Sequence, residues 1–120
     1  MSRAALSLHV FGLYLALVGA TLAVAPNALL ALFRLPLTDD VWIRVLGVVA
    51  LALALYYLLS ARHEVVPFFR WTVAGRLGGF VGFTALAAFG FGPPALGLFG
   101  AVDLAGALWT AWALRADQAG

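Results

Sequence analysis

The chain has 120 residues, of which 65% are hydrophobic and only 10% charged, with a mean hydropathy of +1.06 and a formal net charge of +2. Soluble domains are nearer half apolar and a quarter charged, so these residues cannot furnish an ordinary water-facing exterior. Cys and Lys are both absent, which excludes disulfides, thiolate metal sites, CxxC redox chemistry and a lysine Schiff base.

All the basic side chains are Arg: Arg3, Arg34, Arg44, Arg62, Arg70, Arg76 and Arg115. They are scattered among apolar runs, which suits headgroup anchors and buried polar contacts rather than nucleic acid.

A bilayer core is crossed by roughly 20 apolar residues of helix. Ala4 to Ala25 is the first such stretch, and Pro26-Asn27 ends it because proline cannot supply an interior helix donor. Its opening resembles a secretory signal. The apolar run is longer than a signal core, however, and no clear A-x-A site precedes a polar chain, so it is read as a retained helix. Between Pro26 and Pro36, Leu29, Leu30, Leu32, Phe33 and Leu35 predict a short helix lying in the membrane interface; an apolar loop packed on the bundle fits the same residues.

Thr38-Asp39-Asp40 offers N-cap chemistry to the second stretch, Val41 to Ser60, whose only charge is Arg44. Arg44 is expected to snorkel outward, to meet Asp39 or Asp40, or to point inward toward Asp103. Arg62-His63-Glu64 forms a polar turn before the third stretch, Pro67 to Phe89, and Gly90-Phe91-Gly92-Pro93-Pro94 a tight hairpin before the fourth, Pro94 to Leu114.

Backbone groups in lipid must be paired within the protein, so an open sheet is excluded. The expected fold is an all-α integral membrane four-helix bundle, a single domain over residues 1–120 made of two antiparallel helical hairpins. Arg3, Arg62, Arg70 and Arg115 fall on one side, which puts both termini in the cytoplasm by the positive-inside rule and suggests a bacterial inner membrane.

Charge inside the bilayer is costly and marks the places to look. Arg76 lies nine residues past Pro67, about 13 Å into its helix, and Asp103 eleven residues before Leu114, about 16 Å from the same face. Antiparallel neighbours would bring them level, which predicts an Arg76–Asp103 ion pair. That pair either fixes helix register or lines a ligand or proton site.

On a 100° helical wheel His9 shares a face with Gly12, Ala16, Ala20 and Ala23. Asp103 shares one with Gly100, Gly106, Ala107 and Thr110, and Arg76 one with Thr72, Gly79, Phe80 and Phe83. The candidate ligand-binding set is therefore His9, Arg70, Thr72, Arg76, Asp103 and Thr110. Arg70 also suits an interfacial anchor, and Tyr56, Tyr57, Trp71, Trp109 and Trp112 suit an aromatic belt. No catalytic nucleophile–base pair, metal cluster or phosphate loop is legible, so an enzyme acting alone is not expected.

Arg44-Val45-Leu46-Gly47, then Pro67-Phe68-Phe69-Arg70-Trp71-Thr72 with Gly75-Arg76, and finally Asp103 resemble the small four-helix membrane proteins grouped around DoxX, the BphX-like proteins especially. The resemblance covers most of the chain. It implies quinone-linked oxidation beside a partner subunit, with a quinone head near Arg76, His9 or Thr110.

Three functions follow from residues and resemblance together. The first is a binding or accessory subunit of a larger membrane complex, with membrane lipids and another subunit or a second copy as partners. The second is a quinone- or lipid-binding redox component. The third is an oligomeric small transporter or channel.

Overall fold

The computed structural model describes residues 1–119, and its regular structure is helical throughout: α1 (Arg3–Val24), α2 (Pro26–Leu32), α3 (Val41–Arg62), α4 (Val66–Ala88) and α5 (Leu96–Ala119). Local chemistry explains the boundaries. Ser2 Oγ accepts from the Ala5 amide at 3.0 Å and caps α1. Pro26 and Pro67 sit in the first turns of α2 and α4, where a missing amide hydrogen costs nothing.

Three helices end by one device. Arg34 (φ 56°), Glu64 (φ 52°) and Gly90 (φ 78°) adopt the left-handed region. The following amides then bond back to carbonyls near the helix end: Leu35 to Leu30 at 2.8 Å, Val65 to Ser60 at 3.0 Å and Phe91 to Leu86 at 2.9 Å.

α1, α3 and α5 are each long and apolar enough to cross a membrane, which points to a membrane protein. α4 is equally long at 23 residues, but Arg70, Arg76 and its glycines keep it out of that group. The exterior is apolar: Leu17, Trp42, Val48, Val81 and Leu108 are all exposed.

α1 packs antiparallel on α3 and α4 antiparallel on α5, while α1 also lies along α5. The α1–α3 contact is made backbone to backbone. A Cβ on Gly47 would come within 2.5 Å of the Ala23 nitrogen and 2.7 Å of the Gly19 carbonyl. α3 and α4 hardly touch although a short turn joins them, and a cavity that α1 and α5 also line opens between them.

The tightest core gathers at the end where α1 and α4 begin and α3 and α5 finish: Ala4, Ala5, Leu8, Phe69, Ala61 and Ala113. Polar contacts close that end. Asp117 accepts from the amides of Arg3 at 3.2 Å and Ala4 at 3.0 Å, and Glu64 accepts from Ser2 N at 2.9 Å and Ser2 Oγ at 2.6 Å. Both carboxylates thus face the positive end of the α1 dipole.

Several expectations need correction. Arg44 neither snorkels freely nor pairs with an aspartate; Nη1 donates to the Ala23 and Val24 carbonyls at 2.7 and 3.0 Å and caps α1 from α3. Asp40 precedes α3 without a side-chain capping bond. On α1 the close-approach face carries Gly12 and Gly19, whereas His9 is only half-buried and Ala20 is exposed. A separate feature of α4 is that only Gly79 among Gly75, Gly78, Gly79 and Gly82 meets a neighbour, a Cβ at the other three entering open space. The short helix expected between Pro26 and Pro36 is present as α2, which packs against the bundle through the buried Leu30 while Leu32 is exposed.

Candidate functional site

Arg76 projects from α4 into the interior and is only 4% exposed. Its Nε donates to the Thr72 carbonyl at 3.2 Å, and Nη2 donates to Thr72 Oγ1 at 3.1 Å and to Thr110 Oγ1 at 2.8 Å. The guanidinium carbon lies 4.7 Å from the Phe11 ring centre and 5.6 Å from that of Tyr57, within cation–π range. Nη1 is buried without a hydrogen-bond partner and packs beside Gly106, where a Cβ would stand 3.0 Å from it. Burial of this charge is thus offset by neutral oxygens and aromatic faces.

The hydroxyls form a directed chain. Ser7 Oγ donates to the Ala4 carbonyl at 2.6 Å and lies 2.7 Å from Thr110 Oγ1. A hydroxyl has one hydrogen, so Thr110 must donate to Ser7 while accepting from Arg76. Thr72 likewise donates to the Phe69 carbonyl at 2.7 Å and accepts from Arg76. The chain joins α4, α5 and α1 through groups that are all buried.

The expected direct Arg76–Asp103 ion pair is not formed: no N–O separation of 4.0 Å or less joins the two. The reason is side-chain direction. A helical side chain leans toward the N-terminus of its own helix, so on antiparallel helices Arg76 leans back to Thr72 while Asp103 leans the opposite way, over Gly79. Matching the depths of the backbones was not enough to match the charged ends.

Arg76 and Asp103 nevertheless line one cavity of about 460 Å³, within the range of small-molecule sites. Its polar end carries Arg76, Asp103, Tyr14 and Tyr57; the remainder is apolar and runs along α3 from Tyr57 to Ile43, finishing beneath Leu29, Leu30 and Leu35. The wall is open on one side. Leu46, Val49, Leu53 and Gly75 line the cavity and are also exposed, so the opening lies between α3 and α4.

Of the candidate residues, the structure joins Thr72, Arg76 and Thr110 by hydrogen bonds and sets Asp103 on the same cavity. Arg70 is exposed and His9 half-buried, and neither lines it. Sequence reasoning missed Ser7, Phe11 and Tyr14. Their spacing of four and three residues on α1 puts them on one face, and a serine amid apolar residues was the available signal. Tyr57 was grouped with the interfacial aromatics; it is buried, whereas Tyr56 is exposed.

Comparison with known proteins returns no match: no family model fits the chain, and no curated protein or solved structure is significantly similar to it.

Proposed function

We propose that the protein is a multi-pass membrane protein whose interhelical cavity holds a lipid-soluble ligand of the quinone or lipid class. The observation that carries this reading is the cavity, about 460 Å³, apolar over most of its length and polar at the Arg76–Asp103 end. An amphiphile with a small head and a hydrocarbon tail matches that distribution, and the opening toward lipid between α3 and α4 suits its entry. The resemblance to DoxX-like proteins agrees with a quinone.

In this reading α4 spans the bilayer beside α1, α3 and α5, because its two arginines are accommodated. Arg76 is held inside by Thr72, Thr110 and two aromatic rings, and Arg70 is exposed near the end of the helix. Arg3, Arg62, Arg70 and Arg115 then face the cytoplasm, with both termini.

The experiment is organic extraction of protein purified in mild detergent, followed by mass spectrometry. A stoichiometric quinone or lipid should be released, and Val49→Trp, which fills the cavity from a half-exposed position, should lose it while melting normally. A homogeneous folded protein with no such molecule, able to take none up from added lipid or quinone, would refute the reading.

A second reading, an accessory subunit, is favoured by the open glycine face of α4. Small residues permit close helix approach in lipid, so Gly75, Gly78 and Gly82 would receive a partner helix. Gentle extraction should then recover a stoichiometric partner that Gly78→Leu releases.

A further inference from the structure

Arg76 is the conspicuous charge at the cavity, yet it has little to offer an occupant. Its Nε and Nη2 hydrogens are already donated to Thr72 and Thr110, and Nη1, though without a partner, is buried beside Gly106. The uncommitted charge is Asp103. It lines the cavity half-buried and receives no hydrogen bond from any described residue. The Tyr14 and Tyr57 side chains share its end of the cavity.

An ionised carboxylate only accepts hydrogen bonds. A head that also only accepts, such as a ketone, ether or ester, would leave Asp103 unpaired in a site drier than water, which is expensive. An anionic head would be repelled outright. A cationic head would pair with Asp103 but would share the cavity wall with the Arg76 guanidinium. The remaining complement is a neutral donor.

We propose that the cavity selects neutral amphiphiles with a hydroxyl head, the hydroxyl donating to Asp103 and the tail lying along Leu53, Val49 and Leu46 toward α2. This deepens the reading of the cavity as a ligand site and rests on it, narrowing the quinone-or-lipid class to hydroxyl-bearing lipids and the reduced, quinol form of a quinone. The apolar wall from Tyr57 to Ile43 is about 21 Å long at the helical rise, enough for an extended tail of moderate length.

The test uses purified full-length protein in nanodiscs and three probes with one alkyl tail: a para-alkylphenol, its methyl ether and an alkylammonium. Binding is read by competition against radiolabelled alkylphenol. The phenol should bind one-to-one, about ten- to hundredfold tighter than the ether, as expected for one hydrogen bond to a charged acceptor. The ammonium should be weaker than the phenol. Asp103→Asn should bring phenol and ether within a few-fold, because an amide both gives and accepts hydrogen bonds. Val49→Trp should abolish all binding.

Equal or tighter binding of the ether in the wild-type protein, tighter binding of the ammonium, or a preference unchanged in Asp103→Asn would overturn the proposal while leaving the cavity as a ligand site. Absence of saturable binding by every probe would overturn both.

Discussion

Thr110 Oγ1 accepts a hydrogen bond from Arg76 Nη2 at 2.8 Å, and this contact turns a buried cation into a junction between helices. The same hydroxyl reaches Ser7 at 2.7 Å, so one threonine on α5 links α4 to α1. An arginine at this depth would be expected to need a carboxylate. Here oxygens and aromatic faces suffice, and the carboxylate of Asp103 is left facing the cavity.

The first prediction concerns that junction. Thr110→Val keeps the shape of the side chain but leaves Arg76 with one fewer acceptor and Ser7 without its donor. The cost should be about 2–3 kcal/mol, the scale for unsatisfied buried polar groups. Thr110→Ser retains the hydroxyl and should lose no more than ~1 kcal/mol, through the missing methyl. Detergent unfolding of both variants checks this, and equal losses would show that packing, not the hydroxyl, matters.

The helices were legible because lipid-length apolar runs and proline and glycine breaks are local signals. α3 begins at Val41 as expected, and α4 starts and ends within one residue of the expected stretch. α5 runs on to Ala119, past Leu114, because Arg115 and Asp117 continue the helix and Asp117 is needed to cap α1. The site was legible in its residues but not in its geometry. Thr72, Arg76, Asp103 and Thr110 were visible as polar groups on inward faces. Which groups meet depends on side-chain lean and on which helices pair, and neither is written in periodicity. His9 was misjudged for the same reason: the face of α1 that packs on α3 runs through Gly12 and Gly19, and the wheel that joined Gly12 to Ala20 turned away from it, leaving His9 half-buried and Ala20 exposed.

A second prediction follows from the contact between Glu64 and Ser2. Hydrogen bonds from the Ser2 hydroxyl and amide hold the Glu64 carboxyl below its ordinary value of 4.5. A lowered folded value means the ionised form is favoured by folding. The resulting stability is complete above 4.5 and is lost as the pH falls through the lowered value. The effect is small because water screens an exposed carboxylate. Thermal midpoints across the acid range should fall less steeply for Ser2→Ala than for the wild type; identical pH profiles would remove this contact from the account.

The left-handed backbone at Arg34 supports a third. Its φ of 56° suits glycine, and its side chain is exposed and makes no hydrogen bond that the turn depends on. Arg34→Gly should therefore raise stability by up to about 1 kcal/mol, by removing the Cβ penalty of that conformation. A thermal shift measurement decides it. A loss of stability would mean that the guanidinium has an anchoring contact outweighing the backbone term.

The last prediction separates two kinds of glycine. At Gly47 a Cβ would strike the Ala23 nitrogen and the Gly19 carbonyl, both backbone atoms that a rotamer change cannot move. Gly47→Ala should therefore push α1 from α3 and cost about 1–3 kcal/mol, the usual scale of overpacking. At Gly78 a Cβ would meet nothing within 4 Å. Gly78→Ala loses no contact and gains helix propensity of up to about 1 kcal/mol, so the isolated protein should be unchanged or slightly more stable. Chemical unfolding of the two variants in the same detergent makes the comparison. If Gly78→Ala proves as damaging as Gly47→Ala, the open face of α4 is already occupied in the purified protein, by another helix or by a second copy of the chain.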